Sequence, residues 1–138
     1  MVAIEETARV MRRYKFAASH RLHSDCLSAE ENRRVFGKCN NANGHGHNYV
    51  VTVTVRAPID PKGQAIDIEA LDRVVQGTIV ARFDHQDLNR DPGFATRVTT
   101  GENLVRFIWD LLIKRVPGGQ LEKVGLVETR DNYFEFAG

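Results

Sequence analysis

The sequence predicts an α+β fold: a four-stranded antiparallel sheet with two helices on one face, in the order strand, strand, helix, helix, strand, strand. Three observations predict it. Apolar residues alternate with polar ones in two early stretches, recur at three- and four-residue steps in two central stretches, and alternate again at the end.

The first strand is read from Arg12 to His20, where Tyr14, Phe16, Ala18 and His20 oppose Arg13, Lys15, Ala17 and Ser19. The second runs from Gly46 to Arg56, with Tyr49, Val51, Val53 and Val55 opposed to Asn48, Thr52, Thr54 and Arg56. Asp67 caps a helix expected to reach about Arg82, because Ile68, Leu71, Val75 and Ile79 fall on one side; the turn Asp60-Pro61-Lys62-Gly63 precedes it. Thr99-Thr100-Gly101-Glu102 reads as a capping box, in which Thr99 and Glu102 satisfy each other's backbone donors. Leu104, Ile108, Leu111 and Leu112 follow on one face, and Pro117-Gly118-Gly119 ends the helix. The closing hairpin is Leu121 to Thr129 and Tyr133 to Ala137, turning at Arg130-Asp131-Asn132. Residues 1–11 read as a poorly ordered tail and 12–138 as one domain. The connection of about 25 residues between the first two strands shows no periodicity, and so long a segment is usually functional or disordered.

Composition narrows the function classes. A chain of 138 residues with 42% hydrophobic and 27% charged residues is an ordinary globular domain. Nineteen basic against eighteen acidic residues leave a net charge of +1, so no global charge excess points to nucleic acid or an anionic membrane. No apolar run approaches the roughly 18–20 residues of a membrane span, and Glu5, Glu6 and Arg9 stand where a signal peptide would be apolar. The expected address is therefore the cytoplasm, where Cys26 and Cys39 read as thiols.

Histidines carry the strongest chemical signal. In Gly44-His45-Gly46-His47 the two imidazoles stand at i and i+2, the same face of a strand, and His20 closes the preceding strand in its apolar register. A hairpin would bring all three together. Three neutral imidazoles without a fourth protein ligand make the pattern of a catalytic zinc site, whereas an isolated histidine at a strand end is usually just hydrogen-bonded. Cys39, six residues before His45, lies among turn-forming residues able to fold its thiol over the metal, although a buried structural thiol is the simpler alternative. Asp84-His85 is a carboxylate–imidazole pair suited to proton transfer, or a plain surface pair. Glu128 continues the Val124, Leu126 register and puts a carboxylate on an apolar face, where it needs a partner.

These pieces form a longer pattern. The run Phe16-Ala17-Ala18-Ser19-His20-Arg21-Leu22, then Ser28-Ala29-Glu30-Glu31-Asn32, then Phe36 to Tyr49 through Gly44-His45-Gly46-His47, resembles the 6-pyruvoyltetrahydropterin synthases. Phe83 to Asn89, Gly101-Glu102-Asn103, Ile108-Trp109-Asp110 and Glu128-Thr129 continue the match in order across residues 12–138. The resemblance implies a tunnelling fold whose sheets join into a barrel by oligomerisation, as a homohexamer of two trimers with active sites between subunits. It implies His20, His45 and His47 as ligands of Zn2+, Cys39 as catalytic base, and Asp84 with His85 as the rest of a proton-handling triad. It further implies Glu128 as the acid that anchors a pterin ring, helped by Thr100, Gly101 and Glu102. Animal members carry a second threonine where Gly101 stands, and His23 and Cys26 depart from the family pattern and receive no role.

The implied reaction converts 7,8-dihydroneopterin triphosphate to 6-pyruvoyltetrahydropterin and triphosphate without a redox cofactor. Lys38, Arg12, Arg13 and Arg21 are equal candidates to meet the triphosphate. The runner-up is 6-carboxytetrahydropterin synthase of the queuosine pathway, in which the cysteine lies nearer the His-Gly-His unit. A non-catalytic zinc-stabilised interaction domain would leave Cys39, Asp84, His85 and Glu128 together without a reason.

Overall fold

The long antiparallel pair at the centre of the sheet is what brings the histidines together. In a computed structural model that describes residues 6–138, strand β1 (Thr7–His20) pairs with β2 (His45–Pro58) along its whole length, from Thr7 opposite Pro58 to His20 opposite His45. Strand β4 (Gln120–Thr129) lies on the other side of β2 and β5 (Asn132–Phe136) beyond it, both antiparallel. A two-residue strand, β3 (Gln86–Asp87), runs parallel to the outer edge of β1, so the order is β3-β1-β2-β4-β5. Among the described residues the sheet therefore has five strands instead of the expected four; two residues are too short to show a period.

Among the described residues there are three main helices instead of two. The unexpected one, α1 (Ala29–Phe36), lies within the β1–β2 connection and is followed by a tight turn over Gly37–Asn40. Ser28 caps it by accepting the Glu31 N–H at 3.1 Å. Its inner residue is the fully buried Asn32, whose amide donates to the carbonyls of Ser24, Leu27 and Ser28. A helix seated on a polar side chain has no apolar stripe, which is why periodicity does not reveal it.

Helix α2 (Ile68–Val75) is capped by Asp67, which accepts from the Ala70 N–H at 3.1 Å. It continues through one wide turn over Gln76–Val80 into Ala81–Phe83. In a regular helix, positions four apart drift by about 40° per step. The wide turn reverses part of that drift, and Leu71, Val75, Ile79 and Phe83 all end fully buried against the sheet. Arg12 forks onto Asp72 at 3.1 and 2.8 Å and the Tyr14 hydroxyl donates to the same carboxylate at 2.7 Å, fastening α2 to β1.

Helix α3 (Gly101–Leu112) begins one residue later than expected. Its cap is Thr100, accepting the Asn103 N–H at 3.2 Å, and not Thr99, which is buried for a different purpose. The inner faces of β1, β2 and β4 meet α2 and α3 in one core, built on Tyr14, Phe16, Tyr49, Val51, Val53, Val124 and Leu126.

The expected tail at 1–11 is corrected in part. Residues 7–11 belong to β1, because their partners Pro58 to Thr54 extend β2 equally far, and residues 1–5 lie outside the described residues. No helix among the described residues is long and apolar enough to cross a membrane.

Candidate active site

The register of β1 on β2 sets His20 opposite His45 and Ala18 opposite His47. All three imidazoles therefore project from the helix-covered face at one end of the sheet, with ring centroids 4.6, 5.0 and 4.8 Å apart. One ligand nitrogen from each lies within 4.8 Å of the other two. Gly44, at a φ of 73°, makes the turn into β2 where a side chain would press on the His20 carbonyl at 3.2 Å.

These nitrogens suit a metal ion. His20 is 1% exposed, and its Nδ1 donates to the Thr99 carbonyl at 2.7 Å, which leaves Nε2 as a lone-pair donor. That Nε2, both ring nitrogens of His45 and Nε2 of His47 are buried without a hydrogen-bond partner among the described residues. Unpaired buried nitrogens are costly, and a dication shared among them removes the cost. Burial lowers the His20 pKa to about 4 and lowers that of His47, so both rings are neutral near pH 7, as metal ligation requires.

Around the histidines stand the other candidates. Glu128 on β4 acts electrostatically on both His47 and Tyr49, and Cys39 acts on Tyr49. The Cys39 thiol is free and partly exposed, on the turn after α1. That turn is tied to the chain after His20: the Leu22 N–H donates to the Cys39 carbonyl at 2.8 Å, and the Asn40 amide donates to the Leu22 carbonyl at 2.7 Å. Thr100 and Gly101 open α3 next to Thr99, and Glu102 is exposed in its first turn.

Asp84 and His85 form a pair of their own. Asp84 accepts the Ala17 N–H at 2.9 Å, which is the main cause of its lowered pKa, and its other oxygen is 3.0 Å from His85 Nδ1. His85 holds a left-handed backbone at φ 60°, unusual for a residue with a side chain, and its N–H donates to the Ala17 carbonyl at 2.6 Å. Ala17, Ser19, Gly46 and Asn48 alternate with the histidine positions, and with His47 and His85 they line a cleft at the outer edge of β1. The 81%-exposed His85 side chain is thus presented at the outer edge of β1, and no hydrogen bond among the described residues joins it to Cys39.

A family profile described as 6-pyruvoyl tetrahydropterin synthase matches residues 9–138. The chain belongs to this family. It is 48% identical over 133 residues to the human protein named 6-pyruvoyl tetrahydrobiopterin synthase, covering 95% of this chain and 92% of that one. It is 37% identical to the Dictyostelium discoideum protein of the same name, over 98% and 99% of the two chains. The solved structure of Caenorhabditis elegans 6-pyruvoyl tetrahydropterin synthase superposes with a TM-score of 0.93, at 37% identity over 99% of both chains. An archaeal protein from Archaeoglobus fulgidus, named putative 6-carboxy-5,6,7,8-tetrahydropterin synthase, is 31% identical over 91 residues, 66% of this chain.

Among this family member's site residues, Tyr49 is the one that sequence reasoning placed only in the core. It is fully buried beneath His47, its hydroxyl has no partner among the described residues, and burial followed by the Glu128 charge pushes its pKa up. A hydroxyl two residues past His47 in the same register was the available signal. Among the cations, Arg12 is committed to Asp72, while Arg13 and Lys38 are exposed; Arg21 donates to the Asn40 carbonyl at 3.1 Å. His23 and Cys26 line a cavity of about 660 Å3 beside His20.

Proposed function

We propose that this chain is a zinc-dependent carbon–oxygen lyase that converts 7,8-dihydroneopterin triphosphate to 6-pyruvoyltetrahydropterin with release of triphosphate. The observation that carries this reading is the trio of imidazoles with one ligand nitrogen from each within 4.8 Å of the others, their buried nitrogens without a hydrogen-bond partner among the described residues, and the Glu128 charge acting on His47 and Tyr49. His20, His45 and His47 would hold zinc, which supplies a Lewis acid for the substrate side-chain oxygens and acidifies the neighbouring protons.

The chain's own residues do the rest. Glu128 pairs with ring donors of the aminopterin, and Thr100, Gly101 and Glu102 close the ring's other side. Cys39 removes and returns protons at the substrate side chain, and His85, oriented by Asp84, is the second acid/base group. Triphosphate leaves with the C–O bonding pair, and the remaining hydrogens are redistributed by tautomerisation, so no external oxidant or reductant enters. The need for a reduced thiol fits a cytoplasmic setting.

The same reading includes assembly. The Asp84–His85 pair sits at the edge of β1, covered there only by the two residues of β3, and β5 is the opposite edge of the sheet. Open edges at both ends suit pairing with further copies into a barrel. A hexamer of two trimers, with active sites between subunits, would bring a partner's exposed pair to the histidine face.

The six-residue interval between Cys39 and His45, together with names of relatives at 37–48% identity, favours the pyruvoyl product over the carboxy product. Mass analysis of an anaerobic reaction with dihydroneopterin triphosphate tests this. The expected products are 6-pyruvoyltetrahydropterin and inorganic triphosphate. Stoichiometric acetaldehyde with a carboxylated pterin would assign the carboxy activity, and no turnover with zinc bound would leave a non-catalytic zinc domain.

A further inference from the structure

Asn89 has no part in the chemistry above, yet it is bonded to the chain at the metal trio. Its side-chain oxygen accepts the Arg21 N–H at 2.7 Å and its amide donates to the Arg21 carbonyl at 3.0 Å, so one side chain grips both polar groups of the residue after His20. The Thr99 hydroxyl lies 3.2 Å from that carbonyl and 3.4 Å from the Asn89 oxygen. Thr99 is 1% exposed, and its own carbonyl accepts from His20 Nδ1 at 2.7 Å. The circuit is closed: His20 ring, Thr99 carbonyl, Thr99 hydroxyl, Arg21 backbone and back to His20.

Asn89 is itself held in place. It stands in a short turn over Leu88–Arg90 anchored by the fully buried Leu88, and its N–H donates to the Asp87 carboxylate at 3.0 Å. β1 ends at His20, where ladder hydrogen bonds no longer fix the backbone. Past that point the grip on Arg21 replaces them.

We propose that Asn89 and Thr99 are positioning residues that fix the backbone and ring of His20, so that its Nε2 points at the place shared with His45 and His47. An imidazole ligand is held in one tautomer by the acceptor on its other nitrogen, and loss of such outer partners costs about 10- to 100-fold in metal affinity. Thr99 supplies that acceptor from its main chain, so no side-chain deletion can remove it. What a substitution can remove is the alignment of the two segments, and Asn89 is the bridge that sets it.

The inference rests on the reading of the three histidines as a metal site, and the test separates the two. Zinc affinity is measured by competition with a chromophoric chelator for the full-length wild-type chain and for Asn89→Ala, Thr99→Val and Asn32→Ala. The wild type should bind about one zinc per chain; if it binds none, the metal reading itself fails. Asn89→Ala should weaken zinc binding about tenfold, and Thr99→Val should weaken it by less, since Arg21 then keeps both bonds to Asn89.

Asn32→Ala is the control, because it breaks four hydrogen bonds in the neighbouring loop without touching this circuit. It should leave zinc affinity within twofold of wild type. The cobalt-substituted chains add a second readout: Asn89→Ala should change the visible absorption of the bound ion, and Asn32→Ala should not. Unchanged zinc affinity in a folded Asn89→Ala chain overturns the proposal, as does an equal loss in Asn32→Ala. If Asn89→Ala does not fold, Thr99→Val decides: a loss above twofold with the cobalt spectrum altered supports the proposal, and wild-type values refute it.

Discussion

Replacing Gly101 by alanine tests how tightly the start of α3 is packed against the last hairpin. A Cβ at this position would fall inside the ring of Phe134 on β5, with Cζ at 2.6 Å and two other ring carbons nearer still. Carbon atoms prefer about 3.5–4.0 Å, so the ring or the helix must move by about 1 Å or more. Overpacking of this size costs roughly 1–3 kcal/mol, and the gain of about 0.5–1 kcal/mol from removing a helical glycine offsets part of it. The net expectation is a loss of about 1–2 kcal/mol, or roughly 4–8 °C in Tm for a chain of this length. Phe134→Val removes the obstacle, and the double variant should recover about 1 kcal/mol or more relative to the sum of the single changes. The assay is thermal unfolding at matched protein and zinc concentrations, since both shift apparent stability. Wild-type Tm for Gly101→Ala, or strict additivity in the double variant, would refute the reasoning.

Four further outcomes are expected. His47→Ala should lose zinc, measured by metal analysis, because two imidazoles hold it poorly; a fully loaded, active variant would remove His47 from the ligand set. Cys39→Ala should keep zinc and assembly while turnover falls about 10²- to 10⁴-fold, whereas loss of metal or fold would make the thiol structural. Glu128→Gln should raise the substrate KM and leave zinc content alone, since an amide satisfies only part of what a carboxylate offers two ring donors; an unchanged KM removes the anchor role. Finally, the Arg12 fork and the Tyr14 hydroxyl hold the Asp72 carboxyl below its ordinary value of 3.8. A depressed carboxylate contributes stability above its unfolded pKa and loses it as pH falls through the lower folded one. Asp72→Asn should therefore narrow its stability gap to wild type as pH drops below about 4, and a pH-independent gap would contradict the ion-pair assignment.

Much of this was legible because it depends on period-two and helical patterns. The alternation through Phe16, Ala18 and His20 and through His47, Tyr49 and Val51 fixes which side chains share a face, and a full-length antiparallel pair then leaves one way to bring the histidines together. The four main strands, α2 and α3 follow from similar patterns. What escaped detection lacked an apolar signature. Helix α1 is organised around the polar Asn32, although Ser28 and Glu31 at capping-box spacing were a usable cue, and β3 is two residues long. In the sequence Thr99 and Thr100 offer the same capping hydroxyl one position apart, and only the three-dimensional contact with His20 tells them apart.

The arrangement of the candidate site follows from one topological fact, that β2 is central. With β1 and β4 on either side of it, His20, then His45 with His47, then Glu128 stand on three successive strands, all on the face that α2 and α3 cover. Strands are about 4.8 Å apart, so two spacings span roughly 10 Å. Under the proposed function, that span would let a pterin ring sit at β4 while its side chain extends over β2 toward β1. Covering that face has two consequences with a single cause. It leaves the imidazole nitrogens and the Tyr49 hydroxyl without water, which opposes folding of the empty site, and it keeps His20 and His47 neutral, which readies them to bind a cation. On the proposed reading, metal binding and folding are coupled: zinc should raise the Tm, and His47→Ala should abolish that increment while raising the stability of the zinc-free form relative to other core truncations, because it removes a buried unpaired nitrogen along with the ligand.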